Sequence, residues 1–299
     1  MIHIHNGDVV AALARRGGIP GEHLTFRESL VTGPVVPGDE WIETRAQALA
    51  EGHVHDLLRV RTDLLEQEQA LDRAASQDEV VLWFEHDLYC LVHLVYLLQR
   101  LNGAQLSLIW SPVPLAEHDE EALYELYDAR AAVDPATTAL AGEAWAAYTS
   151  ADPAGLNRFL DRDRAELPFL RDGLMLHASR FPSTFNGLGS MEHRVLAHIA
   201  AGFTDFATLF DHVNAEVPRF GFGDSEVFRH LRALASRNVP LITLNGELPK
   251  AIANITQAGE RVLAGTDDDT AINETDLWLG GAHVTRQRLF RWNGEWIEG

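Results

Sequence analysis

Asn6-Gly7-Asp8, Arg27-Glu28 and Glu85-His86-Asp87 each follow a short apolar, β-prone run. Carboxylates brought close together push one another's pKa apart, which is the arrangement that acid–base or nucleophilic chemistry uses. Asp8, Glu28, Glu85 and Asp87 are therefore the candidate catalytic groups. Asn6, Gly7, Arg27 and His86 are the candidate ligand contacts. Gly7 would let a ligand approach the backbone, Arg27 would hold an anionic part, and the helix start that follows favours phosphate. The same residues also have a plainer reading. Asp8 and Asp87 immediately precede helical stretches, where Asp is a common N-cap worth about 1 kcal/mol. Glu28 and Glu85 could pair with Arg27 or simply face solvent. Only strands that lie side by side turn three separate clusters into one cleft.

The elements that would position them read as follows. Residues 2–5 and 23–26 are short strands flanking a helix that Gly17-Gly18 closes. Trp41 to Ala75 has leucines at helical intervals and forms one helix or two. Glu79–Phe84 is a continuous apolar run, the mark of a strand covered on both faces. An apolar helix to Leu101 and a fourth strand, Gln105–Trp110, complete an alternation of strand and helix that implies a mainly parallel sheet. Residues 117–180 read as helices only, with Asp134-Pro135 and Asp152-Pro153 as starts. From Met191 the order is helix, helix, helix, hairpin, that of a winged helix-turn-helix. Asn293-Gly294 between aromatics signals a two-residue hairpin loop. The expected fold is α/β: a small Rossmann-like, mainly parallel sheet over 1–115 and a helical segment over 116–189. A C-terminal winged-helix-like domain over 190–265 and a hairpin tail over 266–299 follow.

Composition removes several chemistries. Lys250 is the sole lysine and sits in Glu-Leu-Pro-Lys, so neither a Walker-type phosphate loop nor an ordinary Schiff-base site fits. His3, His5, His53, His55 and His86 lack metal-ligand spacing, and residues 3 and 5 share a strand face where packed histidines are equally at home. No metal is assigned and no motif names a cofactor. Ser190 in Gly187-Leu188-Gly189-Ser190-Met191 breaks the nucleophile elbow and reads as a helix cap, and Cys90, the sole cysteine, reads as an inert buried thiol. No run nears the roughly 18 apolar residues that span a bilayer, and no secretory signal is visible, so the expectation is a cytoplasmic protein with no membrane partner.

The rival function is regulatory. Arg229, His230, Arg232 and Arg237 form a basic cluster where a recognition helix would meet the major groove. The charge opposes this, with a net −20 overall. Residues 1–189 hold 29 acidic against 14 basic side chains, and residues 190–299 hold 15 against 10. DNA is therefore a disfavoured partner, and a protein partner stands beside it in this alternative.

Several phrases together carry a resemblance: His3-Ile4-His5-Asn6-Gly7-Asp8, Phe26-Arg27-Glu28-Ser29-Leu30 with Gly33-Pro34, and Leu82-Trp83-Phe84-Glu85-His86-Asp87-Leu88. Phe181-Pro182-Ser183, Asn186-Gly187-Leu188, Thr256-Gln257-Ala258-Gly259 and Leu277-Trp278-Leu279-Gly280-Gly281 follow in order. They resemble the bacterial family designated domain of unknown function 1835, across nearly the whole chain. That resemblance implies no particular reaction. The functional expectation is binding, with turnover left open, of a small phosphorylated or nucleotide-like ligand at the strand ends.

Overall fold

The computed structural model describes residues 1–52, 56–161, 167–217 and 219–299. The first half alternates β1 (Ile2–His5), α1 (Asp8–Arg16), β2 (Glu22–Thr25), α2 (Trp41–Gly52), α3 (Leu57–Ala75), β3 (Val80–Glu85), α4 (Leu88–Arg100) and β4 (Leu106–Ser111). After α5 (Glu120–Asp128) comes β5 (Ala131–Ala132), a two-residue strand inside a stretch that reads as helical only. It pairs antiparallel with β4, whereas β1 to β4 are mutually parallel, in the order β2-β1-β3-β4-β5. The chain leaves β1 towards one edge and returns to β3 on its other side. Strand order therefore reverses between β1 and β3, where such sheets take their ligands.

Burial explains the alternation. Val80 to Phe84 are fully buried because helices cover both faces. Val81 and Trp83 pack on Val10 and Ala14 of α1 and on Leu123 and Tyr127 of α5. Val80, Leu82 and Phe84 join the opposite core with α4. That helix is apolar all round, with every residue from Leu88 to Leu98 except Tyr89 buried. A second layer encloses it: α6 (Pro135–Tyr148), with α7 (Ala154–Leu160) and α8 (Leu170–Ala178). Asp134 caps α6 by accepting Thr137 N–H at 2.7 Å, as its sequence suggests. The long helical region after Trp41 is two helices, the second started by Asp56, which accepts Leu58 N–H at 3.0 Å.

The second half holds α9 (Ser190–Ala200), α10 (Phe206–Ala215) and α11 (Asp224–Ala235), then an antiparallel hairpin of β6 (Ile242–Asn245) and β7 (Ile252–Ile255). After α12 (Gln257–Leu263) and α13 (Asp269–Ile272) come two hairpins, β8 (Asp276–Leu279) with β9 (Ala282–Thr285), and β10 (Arg291–Trp292) with β11 (Ile297–Glu298). The last hairpin exists, but its loop is four residues rather than two. Asn293 Oδ1 accepts the N–H groups of Glu295 and Trp296 at 3.0 and 3.1 Å and widens the turn. Gly280-Gly281 makes the tight turn instead, lying so close to α6 that a Cβ on Gly281 would sit 1.8 Å from Thr149 O. One hydrophobic core runs from Ile2 to Ile297, so both halves share an interior. No helix among the described residues is long and apolar enough to cross a membrane.

Candidate functional site

The three strand-end clusters meet different fates. β1 and β2 end level, with His5 opposite Thr25, and lead directly into Asn6 and Phe26. Gly7 adopts φ 109°, and nothing lies within 4 Å of where its Cβ would be. Asp8 does not cap α1, whose cap residue Gly7 offers no side chain. Its carboxylate instead takes Arg27 Nη2 at 2.7 Å, and that hydrogen bond holds it below the usual carboxylate range. Both side chains remain about two-thirds exposed (67% and 72%). Glu28 is the reverse case. It is buried against Arg45 at 2.8 Å, and Arg45 also donates to the carbonyls of Ser29, Thr32 and Pro34, drawing residues 28–34 around one guanidinium.

Asn6, Gly7, Asp8, Arg27 and Glu28 line one cavity of about 1020 Å³ beyond the ends of β1 and β2. Arg59, Asp63 and Gln67 of α3 form its far wall. Their spacing of four marks one helix face, a signal present in the sequence. Gln67 is tied to the strand end, accepting Arg27 N–H at 2.6 Å. Tyr89 and Glu226 line the cavity as well, the latter from α11. Asn6 is shared with α4: its Nδ2 donates to Cys90 Sγ at 2.9 Å, and its Oδ1 accepts from His93 Nδ1 at 2.9 Å. His93 Nε2 accepts Leu30 N–H, so the hydrogen-bond pattern makes this ring neutral, with burial pulling its pKa to about 3.

Glu85, His86 and Asp87 belong to a separate cluster. Asp87 caps α4, accepting Cys90 N–H at 2.6 Å, as the plainer reading anticipates. Glu85 accepts Leu115 N–H. Burial, and for Asp87 the neighbouring Glu85, push both carboxyls upward, and burial raises the Cys90 thiol too. The ligand atoms of Glu85, Asp87 and Cys90 lie within 4.8 Å of one another. Gly221 closes this cluster, for a Cβ there would stand 2.3 Å from Asp87 Cγ. Leu88 and Tyr89 N–H, which an anion would otherwise have used, are taken by Arg219 O and Phe220 O at 3.1 and 3.0 Å. His86 stacks on Phe169 and lies tilted against Trp110, with centroids at 5.3 and 4.6 Å. The acidic set is therefore divided between an open cavity and a separate, partly buried cluster under residues 219–221.

The histidines of β1 are core residues. Trp83 Nε1–H donates to His3 Nδ1 at 3.0 Å, and His3 Nε2 donates to Pro20 O at 2.9 Å. His5 Nε2 meets His23 Nδ1 at 2.9 Å within a stack of three rings. Burial lowers His3 to about 4 and His5 to about 2, so they are neutral packing groups. His53 and His55 lie outside the described residues.

The basic cluster of α11 is not one surface. Arg229 donates to Thr32 Oγ1 at 2.7 Å, His230 pairs with Glu192 at 2.7 Å, and Arg237 pairs with Asp269, all three directed inward. Arg232 stays exposed, 3.7 Å from Glu247. The neighbouring residues 31–33 and the start of α13 draw these side chains away from any groove-facing surface. Ser190 is not the cap expected of it either. Gly189 holds that position, and the Ser190 hydroxyl instead meets Ser179 Oγ at 2.6 Å. No known family matches the chain, and no curated protein matches it.

Proposed function

We propose that the cavity beyond β1 and β2 binds a small phosphorylated or nucleotide-like molecule, with Arg27 holding its anionic part and Gly7 allowing backbone approach. One observation carries this reading: an exposed Asp8–Arg27 pair stands beside an unobstructed glycine, in a cavity of about 1020 Å³ at the carboxyl ends of parallel strands. Asp8 restrains the guanidinium until an anion competes for it. Any turnover falls to Asp8, because Glu28 is held by Arg45, Asp87 is a buried helix cap and Glu85 is taken by Leu115 N–H. The element order of α9 to β7 is that of a winged helix, and its inward arginines support a packing role over DNA binding. Membership of the family designated domain of unknown function 1835 is part of the same proposal. A melting screen against nucleotides and sugar phosphates tests it. The expected result is a ligand-dependent rise in Tm that Arg27→Ala abolishes. A panel in which no nucleotide or sugar phosphate loses stabilisation on Arg27→Ala refutes it.

A further inference from the structure

We propose a second site: a pocket walled by α11, the 31–33 loop and the β8 strand that takes a phosphoryl group on Arg180 and Arg229. The pocket encloses about 530 Å³, enough for phosphate and part of an organic body. Arg180, Arg229, His230 and Arg237 line it, with Glu192 and Asp269 as its carboxylates. Two of these groups are matched, Arg237 by Asp269 and His230 by Glu192. The other two are not. Arg180 Nη2 donates to Val31 O at 2.7 Å and the guanidinium lies beside the Tyr148 hydroxyl and over the Phe222 ring, but its Nη1, completely buried, has no hydrogen-bond partner. Arg229 reaches only the Thr32 hydroxyl. Among the described residues neither has a carboxylate within ion-pair distance.

Buried charge without a counter-charge is costly, and proteins keep it where a ligand supplies the missing sign. Burial pulls Arg180, Arg229 and Arg237 below the usual arginine range, and Arg180 and Arg45 lower Arg229 further, with Glu192 and, for Arg229, Glu226 opposing from beyond ion-pair distance. The opposite pull on Glu192, to about 2 against its own burial, comes from His230 and Arg237 and reports the same positive field. Arginine forks arriving from separate elements suit a tetrahedral oxyanion better than a planar carboxylate. Trp278, also lining the pocket, offers a flat face to an organic body. The site shares no lining residue with the strand-end cavity and stands or falls without it.

The test is calorimetry and thermal melting of the full chain with inorganic phosphate and pyrophosphate, at ionic strength held constant with sodium chloride, and with malonate as the carboxylate arm. Phosphate or pyrophosphate is expected to raise Tm saturably in the wild type and in Arg27→Ala alike. Arg229→Met should lose the effect while its Tm without phosphate equals or exceeds that of the wild type, since a partly buried cation without an ion-pair partner has gone. A rise that survives Arg229→Met, the absence of any rise beyond the chloride control, or a stronger response to malonate overturns the assignment. Should Arg229→Met fail to fold, Arg229→Lys decides. A phosphate affinity weakened about tenfold or more supports the site, and an unchanged affinity overturns it.

Discussion

Glu28 and Asp8 show how little a carboxylate's position along the chain says about its duty. Both follow strand ends, and both lie beside Arg27 in sequence or in space. What separates them is Arg45, which arrives from α2 and joins Glu28 with both side chains almost wholly out of solvent. Removing one member of a buried pair leaves the other charged and unpaired, at a cost of about 3–5 kcal/mol. Arg45→Met additionally frees the carbonyls of Ser29, Thr32 and Pro34 and should therefore cost more than Glu28→Gln, which keeps an acceptor in place. Urea denaturation of the two variants gives the order directly, and equal or negligible losses would contradict a pair that organises this loop. Nothing in the spacing of Glu28 and Arg45 announces their contact, because the loop between them is irregular and its path depends on the pair itself. Asp8, by contrast, is placed at the cavity beyond β1 and β2 by its strand-end position alone, though neither its partner nor its failure to cap is legible in the sequence.

At the level of elements the sequence was most readable where local chemistry decides. The apolar run of β3, the Asp-Pro start of α6 and the three helices before β6 follow from burial and capping within each segment. The difficult feature is the start of α4. Its preceding acid looks like half of a cleft, yet the chain around residue 220 comes from far along the sequence to cover it. Gly221 is the residue that permits this approach. It adopts φ 69° and lies directly on the Asp87 carboxyl. Gly221→Ala should lose about 1–2 kcal/mol to the left-handed backbone and about 1–3 kcal/mol to the overlap. Thermal melting reads the sum, with Gly7→Ala as a comparison that carries backbone strain but meets open space. If the two variants proved equally stable, Gly221 could not be packed against Asp87.

Across the whole molecule the interior is unusually rich in histidine held neutral, and this sets the response to acid. His3, His5 and His93 are buried, with pKa values of about 4, 2 and 3, while burial also lowers His23 and His177. In the unfolded chain each titrates near its ordinary value of about 6.5. Below that pH the unfolded state binds protons that the folded state refuses, so stability falls as pH falls from 6.5 towards 4. The slope is about 1.4 kcal/mol per pH unit for each histidine, or about 2 kcal/mol each by pH 5. Glu192, also depressed, adds to the loss only at lower pH. Asp87 and Glu85 act in the opposite sense, since their raised values let the folded state bind a proton more readily as pH falls. The histidines outnumber them across this window, and a total of a few such groups rivals the 5–15 kcal/mol that holds a typical domain together. Urea midpoints should therefore drop steadily between pH 7 and pH 5, and His93→Gln, which keeps a polar side chain beside Asn6, should flatten the slope. Stability that held constant or rose on acidification would mean that these rings are not neutral in the fold. The packing of β1 against Trp83, on which the placement of Asn6, Gly7 and Asp8 depends, would then need another basis.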